Sequence, residues 1–150
     1  MANIVTKLSV HNPSSEEMAE ILREYKTIAV VGLSPKESRD SNKVARYLMD
    51  HGYEVVPVNP GQKEILGKQC FRSLEDIPFN IDLANLFLNP ARIPPVVDQA
   101  IQKGVNAIWM QLGVVDNGSA QKAGNAGIRV VMDVCIMTEH MKHATTLSAF

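Results

Sequence analysis

The sequence has few cysteines, almost no net charge and no long apolar run, and each shortage excludes a class of protein. Its two cysteines, Cys70 and Cys135, are far apart and lack CxxC spacing, so we expect reduced thiols rather than a disulfide framework or a metal site. The 15 basic and 16 acidic residues nearly cancel, which leaves no broad basic field for nucleic acid or a membrane surface. No apolar stretch has the length of a transmembrane helix, and the N-terminus lacks the layout of a secretory signal. We therefore expect a cytoplasmic protein.

Length and composition predict one globular domain. The chain has 150 residues, of which 45% are hydrophobic, and this is enough to bury a core of its own. No change in composition along the chain indicates a second domain. We expect residues 1–12 to form a flexible lead-in and residues 144–150 a flexible tail.

Apolar runs typical of buried strands alternate with amphipathic helix patterns along the chain. Strands are predicted at residues 27–31, 54–58, 83–88, 107–111 and 128–132. Helices are predicted at residues 14–25, 42–51, 93–103 and 119–125, with a short helix in the segment after Asp133. The first helix opens with Ser14 and Glu17 at the spacing of a capping box. The alternation predicts a Rossmann-like, doubly wound five-stranded parallel sheet in a three-layer α/β/α arrangement, and we predict the strand order 3-2-1-4-5, with strands numbered along the chain.

Polar, small and turn-forming residues follow four of the predicted strands. In an open parallel sheet, ligands bind beyond the carboxyl ends of the strands, so these residues are expected to share one edge. They are Gly32, Leu33, Ser34, Lys36, Arg39 and Asn42 after the first strand, Asn59, Pro60 and Lys63 after the second, Asn89 and Pro90 after the third, and Gln111, Leu112 and Gly113 after the fourth. Each residue type is ordinary in a loop, but their joint placement predicts a site for an extended phosphorylated ligand.

The loop after the first strand is unsuited to NAD. A dinucleotide site of that type needs G-x-G-x-x-G and an acidic residue at the end of the second strand. Here Ser34 and Glu37 stand at the second and third glycine positions, and the second strand runs into Asn59 and Pro60. A ligand with a phosphate on its adenosine ribose prefers a cation there, and Lys63 is suitably located. CoA and NADP are both ligands of this kind.

Several longer motifs resemble a known family. They are residues 28–35 (IAVVGLSP), 44–48 (VARYL), 52–60 (GYEVVPVNP), 65–67 (ILG), 109–113 (WMQLG) and 130–133 (VVMD), the last followed by Cys135 and Ile136. The chain resembles the small stand-alone CoA-binding proteins of the CoA_binding_2 type, which are related to the CoA-binding N-terminal domain of the succinyl-CoA synthetase α subunit. The resemblance implies a Rossmann-like fold with CoA or acyl-CoA lying across the strand ends.

The resemblance also implies roles for individual positions. The diphosphate would face Gly32, Leu33, Ser34 and the loop through Lys36, Arg39, Asn42 and Lys43. The adenosine would lie by Asn59 and Pro60. The pantetheine would pass Asn89, Pro90, Met110, Gln111, Leu112 and Gly113. Two departures weaken the transfer. Family members often have lysine directly after Asn-Pro, where this chain has Gly61, and many have arginine where it has Val134.

The sequence leaves the question of catalysis open. The synthetase relatives work through a histidine in a second domain that we do not expect in this chain. None of His11, His51, His140 and His143 lies in a recognisable catalytic motif. Our preferred hypothesis is a CoA-binding module without catalysis of its own. The alternatives are an NADP-dependent oxidoreductase, and an enzyme in which Cys135 exchanges thiols with CoA. A protein partner or a homo-oligomer stays possible.

Overall fold

The computed structural model describes residues 12–145 of the chain. The predicted lead-in and tail lie largely in residues 1–11 and 146–150, outside the described part. The helices are α1 (Ser15–Glu24), α2 (Asp40–Asp50), α3 (Ile93–Lys103), α4 (Asn117–Asn125) and α5 (Ile136–Lys142). The strands are β1 (Thr27–Val31), β2 (Glu54–Val58), β3 (Glu64–Ile65), β4 (Lys68–Gln69), β5 (Leu83–Leu86), β6 (Ala107–Met110) and β7 (Arg129–Val131). Short 3-10 turns cover Leu74–Asp76 and Pro90–Arg92.

The five longer strands form one parallel sheet in the order β2-β1-β5-β6-β7, and β3 and β4 pair separately as an antiparallel hairpin. The predicted Rossmann-like α/β fold is confirmed. The predicted order 3-2-1-4-5 is wrong, because the third long strand, β5, pairs with β1 instead of lying outside β2. Numbered along the chain, the five strands follow the order 2-1-3-4-5.

The outer edge of β2 is already covered, which explains why β5 pairs with β1 instead of with β2. Phe71 N–H donates to Pro57 O at 3.0 Å, and Asn59 N–H donates to Phe71 O at 2.9 Å. Residue 71 thus takes the place of a neighbouring strand beside Val58. Because the segment after β4 occupies this edge, the next long strand pairs on the free side of β1.

Helices cover both faces of the sheet. Core residues of α1, α2 and α5, such as Leu22 and Leu48, pack with Ile28 and Val30 on one face. Core residues of α3 and α4, such as Val97, pack on the other face with the alternate residues of β1. A strand buried on both faces needs apolar residues at every position, which accounts for the unbroken apolar run of β1.

Short sequence patterns predicted the helix positions to within about two residues at their starts. The capping box is confirmed, since Ser14 Oγ accepts from Glu17 N–H at 3.2 Å and Ser14 N–H donates to Glu17 Oε1 at 2.9 Å. The helix predicted at 119–125 begins earlier, at Asn117, because the Asp116 carboxylate caps it by accepting from Ser119 N–H at 2.9 Å. Similarly, α2 begins at Asp40 rather than at residue 42.

Within residues 12–145, no helix is long and apolar enough to cross a membrane.

Candidate functional site

A row of four adjoining cavities follows the carboxyl edge of the sheet. Cavity A, of about 390 Å³, lies at the ends of β2, β1 and β5. Cavity B, of about 410 Å³, lies under the loop that joins β1 to α2. Cavity C, of about 340 Å³, lies between the first turns of α2 and α5, and cavity D, of about 390 Å³, lies between α1 and α5.

Neighbouring cavities share wall residues, so the row forms one groove. A and B share Gly32, Phe87 and Leu88. B and C share Asp40, Phe87, Gln111 and Leu112, and C and D share Leu112, Cys135 and Thr138. The groove therefore crosses the sheet from the β2 side to the α5 side, which is where ligands bind in open parallel sheets.

Gly32 is required by the close approach of two strand ends. Its φ is +88°, and an added Cβ would lie 2.1 Å from Phe87 O. Gly32 N–H donates to Val58 O, and Phe87 N–H donates to Val31 O, both at 2.9 Å. The glycine lets β1, β2 and β5 end side by side, and it forms part of the wall of cavities A and B.

A network of side chains fixes the loop over cavity B. Ser34 N–H donates to Ser41 Oγ at 3.0 Å, and Asn42 Nδ2 donates to Ser34 O at 2.9 Å. Arg46 Nε donates to Asn42 Oδ1 and its Nη2 to Glu37 O, both at 2.8 Å. Asn42, predicted as a binding residue, is 1% exposed and acts on the loop. Sequence reasoning missed Arg46, although it follows Asn42 by one helical turn.

The predicted binding residues divide into two groups. Those on cavity walls are Gly32, Ser34, Arg39, Lys43, Asn59, Pro60, Asn89, Gln111 and Leu112. Leu33 and Met110 are buried in the core, and Lys36, Lys63, Pro90 and Gly113 lie outside the walls of the four cavities. Gly113 N–H instead donates to Asp133 Oδ1 at 2.7 Å.

Cavity A contains two cations that the sequence reasoning missed. Arg72 and Arg92 both line it, beside Asn59 and Asn89. Neither guanidinium forms an ion pair with a residue in the described part of the chain. Arg72 comes directly after Phe71, the residue that covers the edge of β2, so its position depends on a pairing that no local pattern shows.

The walls of cavity C are held together through Gln111. This side chain is 4% exposed, and its Oε1 accepts from Ile136 N–H at 3.0 Å, which ties the start of α5 to the end of β6. Next to it, Trp109 Nε1 donates to Val134 O at 2.9 Å. These two contacts position Cys135, which is half-buried and lines cavities C and D.

The other cysteine is enclosed. Cys70 is buried, and its Sγ lies 3.5 Å from Asn59 O. Burial raises the pKa of the Cys70 thiol, with a smaller opposing effect of the Asn59 contact. The two cysteines therefore differ in access to the groove.

A serine, a histidine and a glutamate meet beside cavity D, but without the geometry of a catalytic triad. Ser15 Oγ and Glu139 Oε2 lie 2.9 and 3.2 Å from the same atom, His143 Nε2. A triad needs the serine and the carboxylate on opposite ring nitrogens. Burial raises the pKa of the Glu139 carboxyl, but hydrogen bonds from Ser15, Lys142 and His143 outweigh this and hold the pKa below its ordinary value. The cluster joins α1 to α5.

An aromatic cluster joins α2 to α5. His140 is 3% exposed, and its Nδ1 lies 2.7 Å from the Tyr47 hydroxyl. The rings of His51 and Tyr53 pack edge-on against it, with centroids at 5.2 and 5.7 Å. Burial, with smaller contributions from His51, Lys26 and His143, lowers the pKa of His140. Within residues 12–145, no group of three His, Cys, Asp or Glu side chains is arranged to hold a metal ion.

Fold and groove together define a Rossmann-like α/β domain with its candidate ligand site along the carboxyl edge of the sheet. The model of the CoA binding domain family matches residues 26–141 of the chain. The chain belongs to this family, and the resemblance inferred from the sequence motifs is confirmed.

Individual relatives agree with this assignment. The uncharacterized protein YneT of Bacillus subtilis is 38% identical over 131 residues, which span 87% of this chain and 97% of YneT. A solved structure of a hypothetical protein from Pyrococcus horikoshii superimposes with a TM-score of 0.85 at 41% identity, covering 89% of this chain and 96% of that one. The ADP-forming acetate–CoA ligase I of Archaeoglobus fulgidus is 31% identical over 76% of this chain, which spans only 16% of the ligase.

Proposed function

We propose that this domain binds CoA or an acyl-CoA along the four-cavity groove and does not itself catalyse a reaction. The observation that carries the proposal is the continuity of the groove. It runs from cavity A, where two arginines have no ion pair in the described part of the chain, to the largely apolar cavity C. CoA has the matching sequence of groups, from a phosphorylated adenosine through a diphosphate to a pantetheine arm. Membership of the CoA binding domain family supports the same ligand.

The diphosphate is assigned to cavity B. Arg39 lies on its wall and precedes α2, which has no side-chain cap. The N–H groups of Asp40 and Ser41, the first two of this 11-residue helix, have no partner within residues 12–145 and are open to an anion. Ser38 and Ser41 lie on the same wall and offer hydroxyl groups. The hydrogen bonds of Asn42 and Arg46 keep the loop in place before a ligand arrives, which lowers the entropic cost of binding.

The adenosine and its ribose phosphate are assigned to cavity A. The resemblance to the family suggested a lysine after Asn59 and Pro60, but Lys63 is not on the cavity wall. We assign the phosphate contact to Arg72 and Arg92, whose guanidinium groups suit bidentate binding of a phosphate.

Cavity C favours CoA over NADP. Its wall includes Val44, Phe87, Leu112 and Met137, which suit a flexible pantetheine arm. The same wall also includes Asp40, Lys43, Gln111 and Thr138, but most of its exposed area is apolar, which suits a pantetheine arm better than a second ribose. The alternative of an NADP-dependent oxidoreductase therefore has less support at this end of the groove.

Equilibrium titrations with CoA and dephospho-CoA test the assignment. Arg72→Ala and Arg92→Ala should each weaken CoA binding roughly tenfold, because each removes a charge-assisted contact, and should change dephospho-CoA binding much less. Lys63→Ala is the matched control and should leave both affinities unchanged. Equal weakening of the two ligands would refute the phosphate contact, and absence of CoA binding by the wild type would refute the proposed function.

The cluster of Ser15, His143 and Glu139 beside the groove lacks the geometry of a catalytic triad, and we propose a role in carrying or presenting CoA to a protein partner. The ADP-forming acetate–CoA ligases contain a related segment within much longer chains. We propose that the domain presents its ligand in a comparable way to a separate protein.

A further inference from the structure

We propose that Cys135 captures CoA reversibly as a mixed disulfide, so that the groove recognises the disulfide form of CoA as well as the thiol. This inference rests on the proposed function, because the groove must first hold the adenosine diphosphate part of the ligand. It adds a covalent site on this chain to non-covalent binding.

Cys135 lies at the end of the groove where the pantetheine arm is expected. It lines both cavity C and cavity D, so the thiol is at the junction of the two. With the ribose phosphate in cavity A and the diphosphate in cavity B, the thiol end of an extended CoA points toward this junction. The Sγ atom accepts or donates no hydrogen bond among the described residues, in contrast to Cys70 Sγ.

Gln111 gives a second, independent indication of a ligand at the same point. The side chain is 4% exposed and forms part of the wall of cavities B and C. Its Oε1 accepts from Ile136 N–H, but its Nε2 has no partner within residues 12–145. Only the Asn85 amide is enclosed without a partner in the described part of the chain, so Gln111 Nε2 is accessible and can donate to an acceptor in the cavity. A carbonyl of the pantetheine arm is such an acceptor, and it would hold the arm against the Cys135 side of the cavity.

Cavity D provides room for the group that leaves. It continues the groove beyond Cys135 and includes Lys142 on its wall, together with the acidic residues Asp133 and Glu139. One half of a CoA disulfide can occupy the groove while the other half extends through cavity D to solvent. A site closed behind the cysteine would exclude so large a disulfide.

The reaction is an exchange and needs no separate oxidant. The Cys135 thiol gives its proton to water, and its thiolate attacks one sulfur of CoA disulfide. The S–S bond of CoA disulfide breaks, an S–S bond forms between Cys135 Sγ and the bound CoA sulfur, and the second CoA leaves as a thiolate that takes up a proton. Free thiol in excess reverses the reaction.

The test compares CoA disulfide with glutathione disulfide on the full chain, with adduct formation followed by intact-protein mass spectrometry and the site located by peptide mapping. We expect wild type and the matched control Cys70→Ser to react with CoA disulfide at least about tenfold faster than with glutathione disulfide, because binding raises the local concentration of the reacting sulfur. Excess acetyl-CoA, which has no free thiol, should remove this acceleration. Cys135→Ser should form no adduct.

Two results would overturn the proposal. One is equal rates with the two disulfides, and the other is the absence of an adduct on Cys135. In either case, CoA titration of the wild type in a phosphine reductant shows whether only the mixed disulfide or also the proposed CoA binding is refuted. Retained CoA binding would leave the proposed function intact, whereas absent binding would overturn both.

Discussion

Replacement of Gly32 by alanine tests the geometry that brings the strand ends together. The added Cβ would lie 2.1 Å from Phe87 O, where real Cβ atoms essentially never approach within 3.0 Å. Relief requires the ends of β1 and β5 to separate, which endangers the 2.9 Å bond from Phe87 N–H to Val31 O. The left-handed backbone costs about 1–2 kcal/mol, and the overlap and the weakened hydrogen bond add about 2–3 kcal/mol.

Gly52 provides a matched control. It has the same φ of +88°, but nothing lies within 4 Å of an added Cβ. Gly52→Ala should therefore cost only the backbone term, about 1–2 kcal/mol, against roughly 3–5 kcal/mol for Gly32→Ala. Urea unfolding of both variants measures the difference, and thermal unfolding should show Gly32→Ala melting roughly 6–20 °C below wild type. Equal destabilisation of the two variants would refute the close approach at Gly32.

Two further predictions concern buried polar groups. The pKa of His140 is lowered in the folded protein. Below about pH 6.5 the unfolded chain therefore binds a proton at His140 that the folded protein does not yet bind. The free energy of unfolding should fall as the pH drops from 7 toward the lowered pKa. His140→Asn should flatten this part of the stability profile measured by urea unfolding, and an unchanged slope would contradict the assignment. Asn85 is fully buried on β5, and neither of its amide atoms has a hydrogen-bond partner among residues 12–145. Asn85→Leu should raise the free energy of unfolding by about 1–3 kcal/mol, and a loss of stability would show that the amide is satisfied in solution.

The fold class and most helices could be predicted because their signals are local. Ser14 and Glu17 identify a helix start through bonds between residues three apart, and Gly104 ends α3 with a φ of +80°. The unbroken apolar run of β1 required a strand covered on both faces. Such patterns do not depend on which strand lies next to which.

The strand order and much of the site could not be predicted, because they depend on contacts between distant residues. Phe71 covers the edge of β2 through backbone bonds, which leave no mark in its own sequence neighbourhood. The same pairing brings Arg72 to cavity A, whereas Lys63, chosen for its closeness in sequence to Asn59 and Pro60, lies off the cavity wall. Likewise, the need for glycine at position 32 comes from Phe87, more than fifty positions away.

Calorimetric titration of the purified full chain with CoA, and separately with NADP⁺, tests the central claim most directly. The proposed function predicts saturable binding of CoA at one site per chain and no binding of NADP⁺ at the same concentrations. Binding of NADP⁺ without binding of CoA would contradict it.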